Sequence, residues 1–178
     1  SQVNRLVVLT GAGVSKESGI ATFREAQDGL WAQYDPMEMA TQEGYLRNPK
    51  LVWSWYEYRF GMVASAQPNA GHHAIAELED LVPDVTVVTQ NIDGLHQAAG
   101  STRVLELHGS FRRFKCLSGE HLGFSADVFA HQAEKPPRCP HCGDLLRPDV
   151  VWFGEYLPED VLTAAYDACR RCQAMLVV

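Results

Sequence analysis

Two short segments hold side chains that could together perform acid–base chemistry on a bound ligand. Gln90, Asn91 and Asp93 follow the apolar run 85–89, and His108 ends the run VLELH. In open α/β sheets, ligands bind beyond the carboxyl ends of the strands, so these groups are expected to meet at one edge. A histidine there can act as a general base near neutral pH. Taken singly, each residue also has an ordinary explanation, as a turn residue or a merely hydrogen-bonded histidine.

A glycine-rich turn near the start of the chain is a second candidate. Gly11 and Gly13 lie between the apolar run 6–10 and a helix start, where backbone N–H groups can approach an anion. The dinucleotide fingerprint would have a third glycine where this sequence has Lys16, and no GK[ST] follows to make a P-loop. The spacing favours phosphate binding over a plain tight turn.

Three cysteines suggest a zinc site. Cys139 and Cys142 form a CPHC sequence of zinc-knuckle form, and Cys116 supplies a third thiolate upstream. The fourth ligand stays open, because the position that would complete a CxxC pair with Cys116 is Gly119, while His121 is a candidate. A degenerate, metal-free site is the alternative.

A second CxxC sequence, Cys169 and Cys172, resembles a further pair of ligands. Both cysteines fall on the same helical stripe as Leu162 and Ala165. We therefore expect them in the hydrophobic core rather than on a metal.

An arginine stands within an apolar stripe of a predicted helix. Val52, Tyr56, Arg59 and Val63 follow one another at intervals of four, three and four residues. A buried arginine is costly unless an anion pairs with it, and its planar fork suits a carboxylate. A tyrosine hydroxyl one turn away can add a further hydrogen bond. The ordinary explanation is an arginine that reaches solvent or pairs with a nearby glutamate.

Short apolar runs alternate with helical patterns along most of the chain. The β-branched runs are typical of strands buried on both faces of a parallel sheet; they are 6–10, 85–89, 104–108 and 175–178. Helices are expected from Pro49, over 71–82 and from Pro158. We predict an α/β fold: a Rossmann-like, doubly wound core over 1–108 and 150–178, with a small inserted domain of zinc-ribbon type over 109–149.

Composition narrows the classes of function. A chain of 178 residues with 46% hydrophobic content can bury one sizeable core, and a formal charge of −7 argues against nucleic acid as a partner. No apolar run is long enough to span a membrane, and the first residues lack the apolar centre of a signal peptide. Five cysteines, an odd number, suit a reducing cytoplasm. Because the chain stops on the strand pattern MLVV, we expect it to lack a C-terminal segment.

Four segments together resemble the sirtuins, the family of NAD-dependent protein-lysine deacylases. The segments are GAGVSKESGIATFR, TQNIDGLH, LELHGS and LRPDVVWFGE, in this order. The resemblance extends from about residue 5 to the last residue. It implies NAD as a co-substrate that is consumed, and acyl-lysine proteins or peptides as substrates.

The resemblance also implies roles for individual residues. His108 corresponds to the general base, which helps to deprotonate a ribose hydroxyl after the acyl oxygen has attacked C1′ and nicotinamide has left. The segment Val151, Trp152, Phe153 and Gly154 resembles the one that pairs with the substrate peptide as an added strand, through unpaired backbone groups. The residues that would bind NAD are Gly11, Ala12, Gly13, Ser15, Ser18, Gly19, Ile20, Thr22, Phe23, Arg24, Gln90, Asn91, Ile92 and Asp93.

Tyr56 and Arg59 match the signature of the sirtuins that remove acidic acyl groups. The resemblance therefore implies desuccinylase and demalonylase activity, with weaker deacetylation, yielding nicotinamide, O-acyl-ADP-ribose and free lysine. One alternative is a NAD glycohydrolase or ADP-ribosyl transferase, in which water or a side chain captures the ribosyl cation. Another is a NAD-binding fragment without turnover. The Tyr56–Arg59 pair favours deacylation, because neither alternative needs a clamp for an acyl carboxylate.

Overall fold

A four-stranded parallel sheet forms the centre of the protein. The structure is a computed structural model that describes residues 3–20 and 34–178. The strands are β1 (Arg5–Thr10), β2 (Asp84–Thr89), β3 (Val104–Glu106) and β6 (Ala174–Val177), in the order β3-β2-β1-β6. Thr10 lies opposite Thr89 in the register, so β1 and β2 end at the same edge. The predicted parallel α/β sheet is confirmed.

Helices cover both faces of the sheet. Helix α4 (Ala70–Leu81) packs through Ile75 on Val8 and Val87, and helix α6 (Glu159–Arg171) packs through Ala165 on Val7 and Val88. Neighbouring residues of a strand point to opposite faces, so the two helices lie on opposite sides. This is the doubly wound arrangement that the nearly continuous apolar runs predicted.

The remaining helices are α1 (Pro36–Met39), α2 (Gln42–Arg47), α3 (Pro49–Ser65) and α5 (Leu95–Ala99). The long helix α3 begins where the sequence predicted. The Asn48 side chain accepts a hydrogen bond from the backbone N–H of Leu51, and Pro49 occupies the first helical position. The start of α6 differs by one residue, because Pro158 is its N-cap and Glu159 its first residue.

The segment that follows the third strand forms a second, two-stranded antiparallel sheet from β4 (Gly109–Cys116) and β5 (Leu146–Val150). Gly109 has a φ of +78°, and a Cβ there would come within 2.0 Å of the Asp149 carbonyl oxygen. Trp53 of α3 packs into the same cluster as Phe114 and Leu146. The division at 108/109 and 149/150 stays a prediction.

The third strand is shorter than predicted. It ends at Glu106, and Leu107 and His108 form a turn into β4. The turn follows from the left-handed backbone of Gly109, which redirects the chain out of the parallel sheet. His108 thereby leaves the ladder and lies at the edge of the sheet.

None of the helices in the described part of the chain combines the length and the apolar character needed to cross a bilayer. The cytoplasmic location expected from composition stays a prediction.

Candidate active site

A cavity of about 260 Å³ lies beyond the carboxyl ends of the first three strands. Most of the predicted site residues line it. They are Ala12, Ser15, Ile20, Tyr56, Arg59, Gln90, Asn91, Ile92, Asp93, His108, Val151, Trp152 and Phe153. The structure thus brings together segments that are far apart in the sequence. Thr22, Phe23 and Arg24 lie outside the described residues.

The glycine turn enters a 3₁₀-helix, Ala12–Ser18, rather than an α-helix. Gly11 has extended backbone angles, and an added Cβ at Gly11 or Gly13 would meet no atom within 4 Å among the described residues. The described part of the chain therefore contains nothing that requires glycine at these two positions. Open space in front of the backbone is what a closely approaching ligand needs, which favours the phosphate-binding interpretation.

A hydrogen-bond network ties this turn to the loop after β2. The Ser15 hydroxyl donates to Asp93 Oδ2 at 2.7 Å, and Asn91 Nδ2 donates to Ser15 Oγ at 3.1 Å and to the Gly11 carbonyl at 2.9 Å. Asp93 Oδ1 also accepts from the Leu95 backbone N–H at 2.9 Å. The carboxylate and the amide are therefore held in fixed orientations at the cavity wall.

His108 has one ring nitrogen committed and one available. Its Nδ1 lies 3.0 Å from the Gln90 carbonyl oxygen, which can only accept a hydrogen bond. Nδ1 must therefore carry the hydrogen, and Nε2 is left with the lone pair of the neutral ring. The half-buried imidazole at the cavity wall is thus in the tautomer that a general base requires.

Tyr56 and Arg59 line an aromatic part of the cavity. The Arg59 guanidinium carbon lies 4.8 Å from the centroid of the Trp55 ring and 5.0 Å from that of Phe111. Burial lowers the pKa of Arg59 from its ordinary value, and the neighbouring Tyr56 opposes that shift. Burial raises the pKa of Tyr56 to about 12, so the phenol stays protonated at neutral pH.

The sequence profile of the Sir2 family matches residues 11–178. The chain belongs to the Sir2 family. A protein of Caldanaerobacter subterraneus named NAD-dependent protein deacylase 1 is 51% identical over 177 residues, which cover 99% of this chain and 72% of that protein. A crystal structure of a Sir2 homologue–NAD complex has a TM-score of 0.88 at 47% identity and covers 98% of this chain and 67% of its own. A Sir2–p53 peptide–NAD⁺ structure has a TM-score of 0.82 at 33% identity, and the match covers 98% of this chain and 70% of that chain.

A second, more open cleft adjoins the cavity in this sirtuin. It has a volume of about 530 Å³ and is lined by His108 and by residues 151–154. Contrary to expectation, three N–H groups of that segment are already used. Val151 donates to the His108 carbonyl, Trp152 to the Glu155 carboxylate and Phe153 to the Ala40 carbonyl, each at 2.9 Å. Of the backbone groups expected to be unpaired, these three N–H groups are paired, because the segment bends through a turn instead of running as a strand. That the segment binds the substrate peptide stays a prediction.

Five of the predicted NAD-binding or substrate-binding glycine and serine positions do not line the main cavity. Gly19 ends the 3₁₀-helix with a φ of 82°, and Ser18 accepts a hydrogen bond from Asn69 Nδ2 at 3.0 Å. Gly11 and Gly13 flank Ala12, which does line the cavity, and Gly154 lines the open cleft.

Two buried histidines behind the loop were missed by sequence reasoning. His72 Nε2 lies 3.4 Å from Ser15 Oγ, and His96 Nε2 lies 2.9 Å from Thr10 Oγ1. Burial lowers the pKa of both histidines, that of His96 to about 4, so both rings are neutral at neutral pH. The available signal was the position of His96 directly after the segment TQNIDGL.

The predicted zinc ligands converge, and the structure adds a fourth. The ligand atoms of Cys116, His121, Cys139 and Cys142 all lie within 4.8 Å of one another. The Cys116 Sγ to His121 Nδ1 distance is 3.7 Å, close to the sulfur–nitrogen distance of about 3.6 Å expected when both atoms bind one tetrahedral zinc ion. Gly119, with a φ of +78°, makes the turn between them.

The donor set of this cluster fits a zinc ion. Burial opposes ionisation of the Cys116 thiol, but hydrogen bonds from Ser118 and His121 outweigh it and lower the pKa to about 6. The thiolate is the form that binds metal. Cys169 and Cys172 lie outside the cluster and pack, half-buried, against the core of the sheet, in agreement with their predicted place.

Proposed function

We propose that this sirtuin removes acyl groups from lysine side chains of proteins with NAD as co-substrate, and that it prefers acyl groups ending in a carboxylate. The observation that carries the proposal is the single cavity lined by the Asn91–Asp93 loop, by His108 and by the Tyr56–Arg59 pair. The names of its relatives, as NAD-dependent protein deacylases, support the reaction class.

The polar half of the cavity fits the nicotinamide-ribose end of NAD, which when bound supplies the ribosyl carbon that the acyl oxygen attacks. Gly11 and Gly13 leave room for phosphate oxygens at the turn. Asn91 and Asp93, fixed by their hydrogen bonds to the turn, orient hydroxyl and amide groups. His108 Nε2 takes the proton from a ribose hydroxyl, and the Gln90 carbonyl stabilises the protonated ring by accepting from Nδ1.

The aromatic half of the cavity fits an acyl chain with an acidic end. The rings of Trp55 and Phe111 lie against the Arg59 guanidinium. A carboxylate there gains a charge-assisted bond to Arg59 and a hydrogen bond from the Tyr56 hydroxyl. The methyl end of an acetyl group offers no acceptor to either donor. We therefore expect acidic acyl groups to be preferred over acetyl.

The Cys116–His121–Cys139–Cys142 cluster would hold a structural zinc ion at the inserted segment. All four positions are protein ligands, which leaves no open coordination site, as in other structural zinc sites.

The test compares acetyl-, malonyl- and succinyl-lysine forms of one peptide, with and without NAD, for the parent protein and Arg59→Met. We expect the ratio of kcat/KM for succinyl to that for acetyl to fall on the order of tenfold or more in Arg59→Met, from the loss of a hydrogen bond to a charged group. Arg170→Met, an exposed arginine of α6, is the matched control. An unchanged ratio in Arg59→Met would contradict the acyl assignment.

The same assay separates the alternative reactions. NAD consumption without peptide would favour a glycohydrolase, and transfer of ADP-ribose onto protein would favour a transferase. Absence of NAD consumption with all three peptides would favour a binding module.

A further inference from the structure

A buried hydrogen bond joins Trp152 to the hydroxyl of Tyr56. The Trp152 indole N–H donates to the Tyr56 oxygen at 2.6 Å, and each residue is only 2% exposed. An indole N–H is a donor and never an acceptor. The direction of this bond is therefore fixed by chemistry, and the Tyr56 oxygen must act as its acceptor.

The indole is held in this orientation by a buried ion pair. The Arg147 guanidinium carbon lies 3.3 Å from the centroid of the Trp152 ring. Arg147 in turn donates to Glu155 Oε2 at 3.1 Å and to the Val150 carbonyl at 2.6 Å. Glu155 Oε2 also accepts a hydrogen bond from the Trp152 backbone N–H at 2.9 Å. With its face covered and its backbone anchored, the indole cannot turn away from Tyr56.

The bond from Trp152 decides what Tyr56 can offer to a ligand. A phenol has one hydrogen, and among the described residues none accepts a hydrogen bond from the Tyr56 hydroxyl. Because its oxygen already accepts from the indole, that hydrogen remains for a group in the cavity, where Arg59 also lies. Burial keeps the phenol protonated, since its pKa is raised to about 12. Toward a ligand in the cavity, the Tyr56 hydroxyl therefore acts as a hydrogen-bond donor.

We propose that Trp152 is a positioning residue for acyl specificity, which fixes the Tyr56 hydroxyl as a hydrogen-bond donor toward the terminal carboxylate of the acyl group. The inference rests on the proposed function, since it concerns the same cavity. A carboxylate only accepts hydrogen bonds and therefore matches this donor, whereas the methyl end of an acetyl group offers no acceptor. Trp152 would raise the discrimination between the two without touching the carboxylate.

The first test is a double-mutant cycle of Trp152→Phe and Tyr56→Phe. In the parent background, we expect Trp152→Phe to lower the succinyl-to-acetyl ratio of kcat/KM by about tenfold, mainly through a higher KM for the succinyl peptide. In the Tyr56→Phe background, the same substitution should change the ratio less than about twofold, because the hydroxyl on which Trp152 acts is gone. Equal effects in the two backgrounds would overturn the proposal.

Trp53→Phe is the matched control for the loss of a buried indole. Trp53 is also 2% exposed, but its Nε1 has no hydrogen-bond partner among the described residues. This substitution should leave the acyl ratio unchanged. A fall equal to that of Trp152→Phe would show that the loss of any buried indole lowers the ratio, and it would overturn the assigned role.

The second test is spectroscopic and does not require turnover. The sequence has four tryptophans, and the indole N–H resonance of Trp152 is identified by its absence in Trp152→Phe. We expect Tyr56→Phe to move this resonance upfield, because the indole loses its acceptor, while Tyr58→Phe at an exposed position leaves it in place. An unmoved resonance in Tyr56→Phe would overturn the proposal.

The outcomes separate this inference from the proposed function. A parent protein without preference for succinyl over acetyl would overturn both. A parent with that preference, but with additive effects of the two substitutions, would overturn the role of Trp152 alone.

Discussion

Loss of the buried ion pair between Arg147 and Glu155 should lower the free energy of unfolding substantially. The Arg147 side chain is 2% exposed and that of Glu155 is 27% exposed, and the two are joined by two hydrogen bonds. Glu155→Gln keeps the size of the side chain and removes the charge. The glutamine amide oxygen can still accept a hydrogen bond, but the buried guanidinium charge then has no counter-ion among the described residues, and the Val150 carbonyl and the Trp152 ring are neutral.

The magnitude follows from the uncompensated charge. Removing one partner of a buried ion pair costs about 3–5 kcal/mol, and we expect about 3 kcal/mol because a quarter of Glu155 reaches solvent. In a chain of this length each kcal/mol lowers Tm by about 2–4 °C, so the expected fall is about 6–12 °C. Urea denaturation of parent and variant at pH 7 measures the free energy of unfolding directly.

The pH dependence gives the same prediction a second test. Burial opposes ionisation of Glu155, but the hydrogen bonds and the charge of Arg147 outweigh it and hold the pKa below the ordinary value of 4.5. A carboxylate with a depressed folded-state pKa stabilises the protein above its unfolded pKa and loses that contribution as pH falls through the folded value. The difference in the free energy of unfolding between parent and Glu155→Gln should therefore have its largest value at pH 7 and should decrease below about pH 4.5.

The control is an exposed arginine–glutamate pair on helix α2. Arg47 and Glu43 lie 2.7 Å apart, with 62% and 82% of their side chains exposed. Glu43→Gln should cost about 0.5 kcal/mol or less. If Glu155→Gln costs no more than Glu43→Gln, the buried pair does not hold the structure as we infer.

Two further predictions concern the zinc cluster and the base. Metal analysis of purified protein should give about one zinc per chain, falling well below one in Cys139→Ser but not in Cys172→Ser; well under one in the parent would contradict the ligand set. His108→Tyr should abolish NAD-dependent deacylation without changing the urea midpoint, while His73→Tyr at an exposed position should leave turnover intact, and retained activity in His108→Tyr would assign the base elsewhere.

Much of the site could be predicted because it follows from strand ends. The apolar runs 6–10 and 85–89 specify strands buried on both faces, and parallel strands end at a common edge. The Gly11 turn and the loop with Asn91 and Asp93 were therefore expected to meet. The spacing of Tyr56 and Arg59 likewise placed both side chains on one face of α3.

Other contacts join residues whose proximity has no local signature. The fourth metal ligand could not be chosen from spacing alone, and it was the left-handed turn at Gly119 that brought His121 beside Cys116. The N–H groups of Val151 and Phe153 are hydrogen-bonded within the protein because the segment bends, and the sequence of residues 151–154 did not reveal this bend.

The sequence by itself determined the alternation of strands and helices, the edge at which the polar segments gather, and the types of side chain available there, because periodicity and turn residues act over a few neighbours. Only the tertiary structure decided how those side chains hydrogen-bond. Trp152 and Tyr56 are 96 positions apart, and Ser15 and Asp93 are 78 apart. Such contacts are set by the packing of whole elements, in which orientation depends on every neighbour at once.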